Sequence, residues 1–309
     1  MDAVVELIGR GDARPIAGGT DLLVAMEAGL DPAGTLVDIV RAAPSSITWM
    51  GDGSLRIGAG TNLDTIANDA RIAERFGALA LAAAAVGTPA LRAMGTIGGN
   101  LCQRPRCWYV RSRIPCLKNG GTGCPAKTGE NQHHAILGGG PCHAAHPSDV
   151  AVALLALDAT VITRSAGGSR RLGIDALYAN AATNSHAEVA LEPGEIIEAI
   201  DLPAASAGGR QCFTKLMQRG AWDFALVSLA GIRRADGNVR LALGGVAPMP
   251  WRVNPSVEED VASGELDQDS VDALAERALY DAVPLEMNGY KVQQAAALLK
   301  RAMLDLSRA

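Results

Sequence analysis

The sequence is poor in aromatic residues and has no excess of basic charge, and each shortage argues against a class of function. Phe, Trp and Tyr make up 4% of the 309 residues, and the formal net charge is −5. A protein that binds nucleic acid or an anionic membrane through charge carries a basic excess, so we expect neither partner. No apolar run reaches the roughly 18–20 residues that a membrane helix needs, and we expect no membrane insertion.

The first residues also lack the basic region followed by an apolar stretch that is typical of a secretory signal. We therefore expect a cytoplasmic protein. Disulfides are rare in the reducing cytoplasm, yet five of the six cysteines fall between positions 102 and 142. Disulfide bonding is thus a poor explanation for their crowding.

Two common nucleotide-binding signatures, G-x-G-x-x-G and G-x-x-x-x-G-K-[ST], are absent from the glycine loops. Glycine itself is abundant, at 35 residues, or about 11% against a usual ~7%. The loop Ala17-Gly18-Gly19-Thr20-Asp21 follows a predicted strand and precedes a predicted helix, and a second loop reads Gly95-Thr96-Ile97-Gly98-Gly99-Asn100. Such loops can turn backbone amides towards a phosphate. A plain strand-to-helix turn is the alternative for the first loop, but the two loops together indicate a nucleotide cofactor.

The hydrophobic patterns predict an α+β fold with two domains. We place the first domain at residues 1–205 and the second at 206–309, with the boundary in the small, flexible stretch 204–209. Helices are predicted over 3–8, 22–28, 64–76, 77–86, 150–157, 224–229, 270–279 and 293–306. Strands are predicted over 14–17, 35–39, 55–60, 160–163, 196–202 and 211–217, with a hairpin turn at 235–238.

The segment 87–146 interrupts the first domain with little periodicity, which is typical of a functional loop. It contains Cys102, Cys107, Cys116, Cys124 and Cys142. Structural zinc modules present close pairs such as C-x₂-C, and these cysteines are spaced more widely. Four distant thiolates can instead converge on a 4Fe–4S cluster. The spacing therefore favours a cluster, with zinc or no metal as the alternatives.

Charged side chains in the same segment fit an anionic cluster, because neighbouring cations would stabilise it. They are Arg104, Arg106, Arg111, Arg113, Lys118 and Lys127. Four histidines also lie here: His133, His134, His143 and His146. We expect these to be surface or hydrogen-bonding residues. The alternative that one of them replaces a cysteine as a metal ligand stays open.

Taken together, the motifs resemble a known family. The segments 17–23, 95–101 and Pro147-Ser148-Asp149 resemble the FAD-binding subunit of the xanthine dehydrogenase, or molybdenum hydroxylase, family, which includes the medium subunits of carbon monoxide dehydrogenase and aldehyde oxidoreductases. The insertion at about 102–146 resembles that of 4-hydroxybenzoyl-CoA reductase and bacterial aldehyde oxidoreductases, whose FAD subunits hold a 4Fe–4S cluster. Relatives usually begin with a further strand, which the pattern here lacks.

The resemblance implies a two-part FAD-binding domain followed by a C-terminal α+β domain. It implies flavin contacts from Ala17, Gly18, Gly19, Thr20, Asp21, Gly95, Thr96, Gly98, Gly99, Asn100 and Asp149. It implies cluster ligands at Cys107, Cys116, Cys124 and Cys142. Cys102 is then expected to be buried, and Cys212 to lie in the core.

The function implied is electron transfer, with no catalytic residue on this chain. An aldehyde or an aromatic or N-heteroaromatic substrate would be oxidised on a large partner subunit that holds the molybdenum cofactor. A small 2Fe–2S subunit would pass electrons to FAD here and then to an external acceptor. A partner's signal could export the complex to the periplasm. The alternatives are a stand-alone FAD-dependent oxidase and a zinc-stapled interaction protein.

Overall fold

A computed structural model describes residues 1–181, 188–264 and 266–308. The N-terminal part is a small unit with its own core. Its elements are α1 (Asp2–Ile8), β1 (Ala13–Ile16), α2 (Leu22–Glu27) and β2 (Thr35–Asp38). The strands pair in parallel, as the predicted strand–helix–strand order requires. Val5 of α1 packs with Ala13 and Val37 of this pair in a small core.

The second part begins with strands and then runs through short helices. These are β3 (Ile47–Trp49), β4 (Leu55–Gly58), α3 (Leu63–Asn68), α4 (Ala70–Arg75), α5 (Gly77–Ala84), α6 (Pro89–Met94) and α7 (Ile97–Leu101). The single helix predicted over 64–76 is divided at Asp69, whose carboxylate accepts hydrogen bonds from the amides of Arg71 and Ile72. A side chain that caps a helix start favours a break at its position.

The cysteine-rich insertion follows α7 and holds little regular structure. Its one α-helical turn is α8 (Trp108–Arg111), and 3₁₀ turns lie at Leu117–Asn119 and Pro125–Lys127. The chain re-enters the fold at α9 (Asp149–Ala156), where the Ser148 hydroxyl accepts from the Ala151 amide as the predicted N-cap. All eight residues of α9 are buried.

The remaining strands complete an antiparallel sheet of five strands. They are β5 (Thr160–Ser165), β6 (Gly168–Gly173) and β7 (Ile196–Leu202), with α10 (Ile174–Leu177) between the last two, and the order is β3-β4-β7-β5-β6. Strands β3 and β6 were not predicted. Both lie at the sheet edges, where few side chains are buried and the sequence pattern is weak.

The C-terminal part has a four-stranded sheet of order β11-β10-β9-β8, on which α11 and α13 pack, with α12 packed against these two helices. Its elements are β8 (Arg210–Leu216), β9 (Val227–Arg233), β10 (Val239–Gly244), β11 (Trp251–Arg252), α11 (Pro255–Ala262), α12 (Gln268–Ala278) and α13 (Tyr290–Ser307). The α+β fold is therefore confirmed. Within the described residues, no helix is long and apolar enough to cross a membrane.

The helix predicted over 224–229 is wrong, because the chain there enters β9. This strand lies between β8 and β10 and is buried on both faces from Val227 to Ile232. A strand buried on both faces reads as a continuous apolar run, which periodicity cannot distinguish from a buried helix. Helix α11 was not predicted, although Asn254 caps it and Pro255 opens it.

Candidate functional site

A cleft of about 690 Å³ lies where the N-terminal unit, the second part and the C-terminal sheet meet. That volume is in the range of cofactor pockets. Ten of the eleven predicted flavin-contacting residues line it: Ala17, Gly18, Gly19, Thr20, Asp21, Gly95, Thr96, Gly99, Asn100 and Asp149. The fold thus brings together segments that are up to 132 positions apart in the sequence. Gly98 is not on the wall of the cleft, because it packs against Ala59 and its amide donates to the Ala59 carbonyl.

The first glycine loop presents unused backbone donors to this cleft. The amides of Gly18, Gly19 and Thr20 donate to no acceptor among the described residues. A Cβ atom on Gly18 would collide with the Met94 carbonyl, and Gly19 has a φ of +69°. Glycine is therefore required at both positions. Free amides on a close-packed backbone are suited to an anionic pyrophosphate.

The second glycine loop is more fully hydrogen-bonded within the protein. The Thr96 hydroxyl accepts from the Gly99 amide, and the Ile97 amide donates to the Thr61 carbonyl. The Ser148 hydroxyl donates to Oδ1 of Asn100 at 2.5 Å, which ties this loop to α9. We infer that the second loop shapes the wall of the cleft, whereas the first loop supplies most of its free amides.

A buried ion pair closes one side of the cleft. Nζ of Lys215 lies 2.7 Å from Oδ2 of Asp149, and the two side chains are 4% and 5% exposed. Burial raises the pKa of Asp149, while the Lys215 ammonium acts in the opposite direction. Lys215 comes from β8 and also donates to the Ala85 carbonyl. The C-terminal part therefore contributes directly to the cleft, a role that the sequence reasoning did not assign to Lys215.

The insertion is joined to the first glycine loop through Asp21. Its carboxylate accepts from the Arg104 amide at 2.9 Å and from the guanidinium of Arg111 at 3.0 Å, and it pairs with Arg106 at 2.8 Å. Arg104 also pairs with Asp31. These arginines were predicted to surround a cluster, and the structure instead pairs them with carboxylates of the N-terminal unit. The predicted cation that does line the cysteine pocket is Lys118.

The four cysteines predicted as ligands line one small pocket. Cys107, Cys116, Cys124 and Cys142 surround it together with Tyr109, Val110, Leu117, Lys118, Pro125 and Ala144. The free space between these side chains is about 10 Å³. Burial raises the pKa of Cys107 to about 11 and also raises that of Cys142, while the Lys118 ammonium offsets part of the effect on Cys142. Within the described ranges, no three His, Cys, Asp or Glu side chains are arranged to hold a single metal ion.

The two remaining cysteines lie elsewhere. Cys102 is half-buried and lines the flavin cleft, and burial raises the pKa of its thiol to about 12. It was expected to be buried, but the second glycine loop leaves one side of it facing the cleft. Cys212 on β8 packs against the C-terminal core. Neither contributes to the pocket of the other four.

Three of the histidines in the insertion are buried, so a surface location is wrong for His134, His143 and His146. Nε2 of His134 lies 3.2 Å from Sγ of Cys107. Burial lowers the pKa of His134 to about 4 and that of His146 to about 3. His134 and Cys107 also line a cavity of about 190 Å³ that shares Asp149 with the flavin cleft. The His-Cys contact had no signal in the sequence, since 27 positions separate the two residues.

Comparisons with known families cover almost the whole chain. Residues 1–205 match the FAD binding domain in molybdopterin dehydrogenase, and residues 212–306 match the CO dehydrogenase flavoprotein C-terminal domain. The chain belongs to the FAD-binding subunits of the molybdenum hydroxylase family. The resemblance inferred from the glycine loops is therefore confirmed.

Individual relatives agree with this family. The chain is 35% identical over 297 residues to the aldehyde oxidoreductase FAD-binding subunit of Escherichia coli K12, covering 95% of this chain and 91% of the relative. It is 28% identical to the xanthine dehydrogenase FAD-binding subunit of Escherichia coli O157:H7, over 92% and 83% of the two chains. Quinoline 2-oxidoreductase from Pseudomonas putida 86 shares the fold, with a TM-score of 0.75 at 21% identity, over 100% of this chain and 94% of the other.

As an FAD-binding subunit of this family, the chain is part of an oxidoreductase. Bound FAD supplies a centre that accepts electrons singly or in pairs, and the protein supplies binding and orientation. Gly18, Gly19 and Thr20 would hold the pyrophosphate through their free amides. Asp149 and Lys215 would lie beside the cofactor as an ion pair whose two charges offset each other. Membership of this family argues against the alternative of an interaction protein with empty glycine loops.

Proposed function

We propose that this chain is the FAD- and 4Fe–4S-carrying electron-transfer subunit of a heteromeric molybdenum hydroxylase. Electrons would arrive from iron–sulfur centres, pass through FAD and leave to an external acceptor. The observation that carries the proposal is the convergence of Cys107, Cys116, Cys124 and Cys142 on one pocket. Four thiolates are the ligand set of a 4Fe–4S cluster.

The chemistry around the pocket supports a cluster over a zinc ion. A cubane spaces its four thiolates around a body larger than one ion, so ligands for a cluster need not meet at one point. The cavity between the four cysteines is only about 10 Å³, so a bound cluster would occupy space that the thiol side chains fill in this structure. Deprotonation of a buried thiol such as Cys107 is costly, and coordination by iron compensates for it.

The position of the pocket supports transfer between cluster and flavin. Lys118, 3% exposed, lines both the cysteine pocket and the flavin cleft. The start of the insertion is held against the N-terminal unit, which carries the first glycine loop, by ion pairs. Arg104 pairs with Asp31, and Arg106 and Arg111 pair with Asp21. Lys118 therefore borders both sites, which supports a short path for an electron between them.

We further propose that the substrate is oxidised on a partner chain. A large subunit with the molybdenum cofactor and a small subunit with 2Fe–2S clusters would complete a heterotrimer in the cytoplasm, or in the periplasm if a partner's signal exports the complex. The aldehyde oxidoreductase relative favours an aldehyde substrate over an aromatic or N-heteroaromatic one. The isolated chain should then bind FAD and show negligible aldehyde oxidation. Turnover by the isolated chain at the rate of the complex would refute the subunit proposal.

The cluster is tested by a Cys→Ser series with iron, sulfide and flavin analysis. Wild-type protein should carry roughly four irons per chain and show both flavin bands and a broad iron–sulfur absorption. Cys107→Ser, Cys116→Ser, Cys124→Ser and Cys142→Ser should each lower the iron and sulfide content. Cys102→Ser and Cys212→Ser are the matched controls and should retain the iron. Loss of iron in Cys102→Ser with full retention in Cys107→Ser would overturn the ligand set.

A further inference from the structure

One buried histidine contacts the cysteine pocket from the side that faces the flavin cleft. His134 is 4% exposed, and its Nε2 lies 3.2 Å from Sγ of Cys107. Both residues line the cavity of about 190 Å³ that shares Arg106, Asp149 and Phe224 with the flavin cleft. Cys107 is the pocket cysteine whose sulfur lies within hydrogen-bond distance of a histidine ring.

The C-terminal part fixes the backbone of this histidine. Nζ of Lys291, at the start of α13, donates to the His134 carbonyl at 3.0 Å, and the side-chain Nδ2 of Asn288 donates to the same carbonyl at 3.1 Å. The His134 amide donates to the Asn131 carbonyl at 3.0 Å. Its ring packs on Tyr109, with 6.0 Å between ring centroids. Lys291 and Asn288 are fully buried, so they hold the backbone of His134 in place, and its ring lies between Tyr109 and Cys107.

The chemistry of the acceptor, the Cys107 sulfur, decides which ring nitrogen of His134 carries the hydrogen. A metal-bound thiolate has no proton and can only accept, so Nε2 must carry the hydrogen in the contact with Cys107. The backbone amides of Tyr109 and Val110 also donate towards this sulfur. Hydrogen bonds to ligand sulfurs withdraw electron density from the iron and raise the reduction potential of a cluster.

We propose that His134 is a positioning residue that sets the reduction potential of the cluster by donating Nε2–H to the Cys107 thiolate. This inference rests on the proposed cluster. The sulfurs of a bound cluster would carry more negative charge in the reduced state, and a hydrogen bond from His134 would then be stronger. The reduced state would therefore be stabilised more than the oxidised state, which raises the reduction potential.

The test uses the holoprotein and three variants. His134→Leu removes the donor, His134→Gln keeps an N–H donor on a flexible side chain, and His133→Leu is the matched control. His133 is the neighbouring, half-buried histidine, whose ring lies against Trp108. Iron, sulfide and flavin contents are measured first. The fraction of reduced cluster is then followed by low-temperature EPR at a series of fixed potentials.

At a fixed potential, His134→Leu should lower the ratio of reduced to oxidised cluster about tenfold, which for one electron is a shift of ~59 mV. His134→Gln should recover part of the shift, and His133→Leu should match the wild type. An iron-replete His134→Leu variant with the wild-type potential would overturn the inference. Equal shifts in His134→Leu and His134→Gln would also overturn it, because a packing change alone would then explain them.

A further measurement needs no variant. Wild-type protein labelled with ¹⁵N-histidine should show a weak coupling between an imidazole nitrogen and the reduced cluster in pulsed EPR. Absence of this coupling in iron-replete protein would overturn the role of His134 even if His134→Leu failed to fold. Wild-type protein without iron and sulfide would instead refute the proposed cluster, and the inference with it.

Discussion

The guanidinium of Arg111 donates to the carboxylate of Asp21 across 3.0 Å, and this contact joins the cysteine-rich insertion to the first glycine loop. Asp21 also accepts from the Arg104 amide and pairs with Arg106. The pKa of Arg106 is lowered to about 10, because burial outweighs the opposing effect of the Asp21 carboxylate. One carboxylate thus pairs with two partly buried guanidinium groups from a segment more than 80 positions away.

Asp21→Asn should therefore weaken both cofactor sites together. Replacing a carboxylate that accepts charge-assisted hydrogen bonds lowers the free energy of unfolding by about 2 kcal/mol. The substitution also leaves two guanidinium groups without a counter-ion. We expect flavin and iron contents to fall in parallel. Asp38→Asn is the control, since Asp38 is exposed and its carboxylate accepts, among the residues that the structure describes, from the nearby Val40 amide. Loss of flavin with unchanged iron would show that the loop and the insertion are independent.

Gly99→Val should reduce flavin binding without unfolding the protein. A Cβ atom at Gly99 would meet only the Thr96 hydroxyl, at 3.1 Å, but the residue lines the flavin cleft. We expect at least a roughly tenfold weaker affinity for FAD, about 1.4 kcal/mol, measured by flavin titration of the stripped protein. Gly77→Ala is the control, because Gly77 lies outside the cleft and its Cβ would meet no atom within 4 Å. Undiminished affinity in Gly99→Val would remove the second loop from the flavin site.

Lys215→Met should be strongly destabilising in the flavin-free protein. It leaves the Asp149 carboxylate buried without its partner, and breaking a buried ion pair in this way costs ~3–5 kcal/mol. The double variant Asp149→Asn with Lys215→Met should recover part of this loss, because no uncompensated charge then remains. Urea denaturation of the wild type, the two single variants Lys215→Met and Asp149→Asn, and the double variant measures the coupling energy between the two side chains. Additive effects of the two substitutions would contradict a direct interaction.

His146 should make the protein sensitive to acid. Burial lowers its pKa to about 3 in the folded state, from 6.5. The unfolded chain therefore binds a proton that the folded chain excludes, and stability falls as the pH drops from about 6.5 towards 3. From His146 alone we expect the free energy of unfolding to fall by about 3 kcal/mol between pH 8 and pH 4.

His146→Phe tests this contribution, because it removes the titrating group and keeps a ring against Tyr178, whose centroid lies 4.4 Å from that of His146. Stability should be measured by denaturant titration at pH 8 and at pH 4 in both proteins. The variant should lose less stability than the wild type over this interval. Equal losses would show that His146 is already protonated at neutral pH or remains accessible to water.

Much of the local structure could be predicted because its causes are local. Ser148 caps α9, the 236–238 turn closes a hairpin, and β7 carries a β-branched apolar pattern. The helix predicted over 224–229 was wrong because a strand buried on both faces has no alternation. The break at Asp69 could have been predicted from its capping side chain.

The sequence by itself determined the two glycine loops, the crowding of the cysteines and, through them, the family. Only the tertiary structure decided that Gly98 does not line the cleft, that Asp21 pairs with Arg106 and Arg111 of the insertion, and that His134 contacts Cys107. The physical reason is the range of the interactions. Loop conformation and capping depend on neighbours in the chain, whereas these contacts join residues 27 to 90 positions apart, and packing of the separate cores sets which side chains meet.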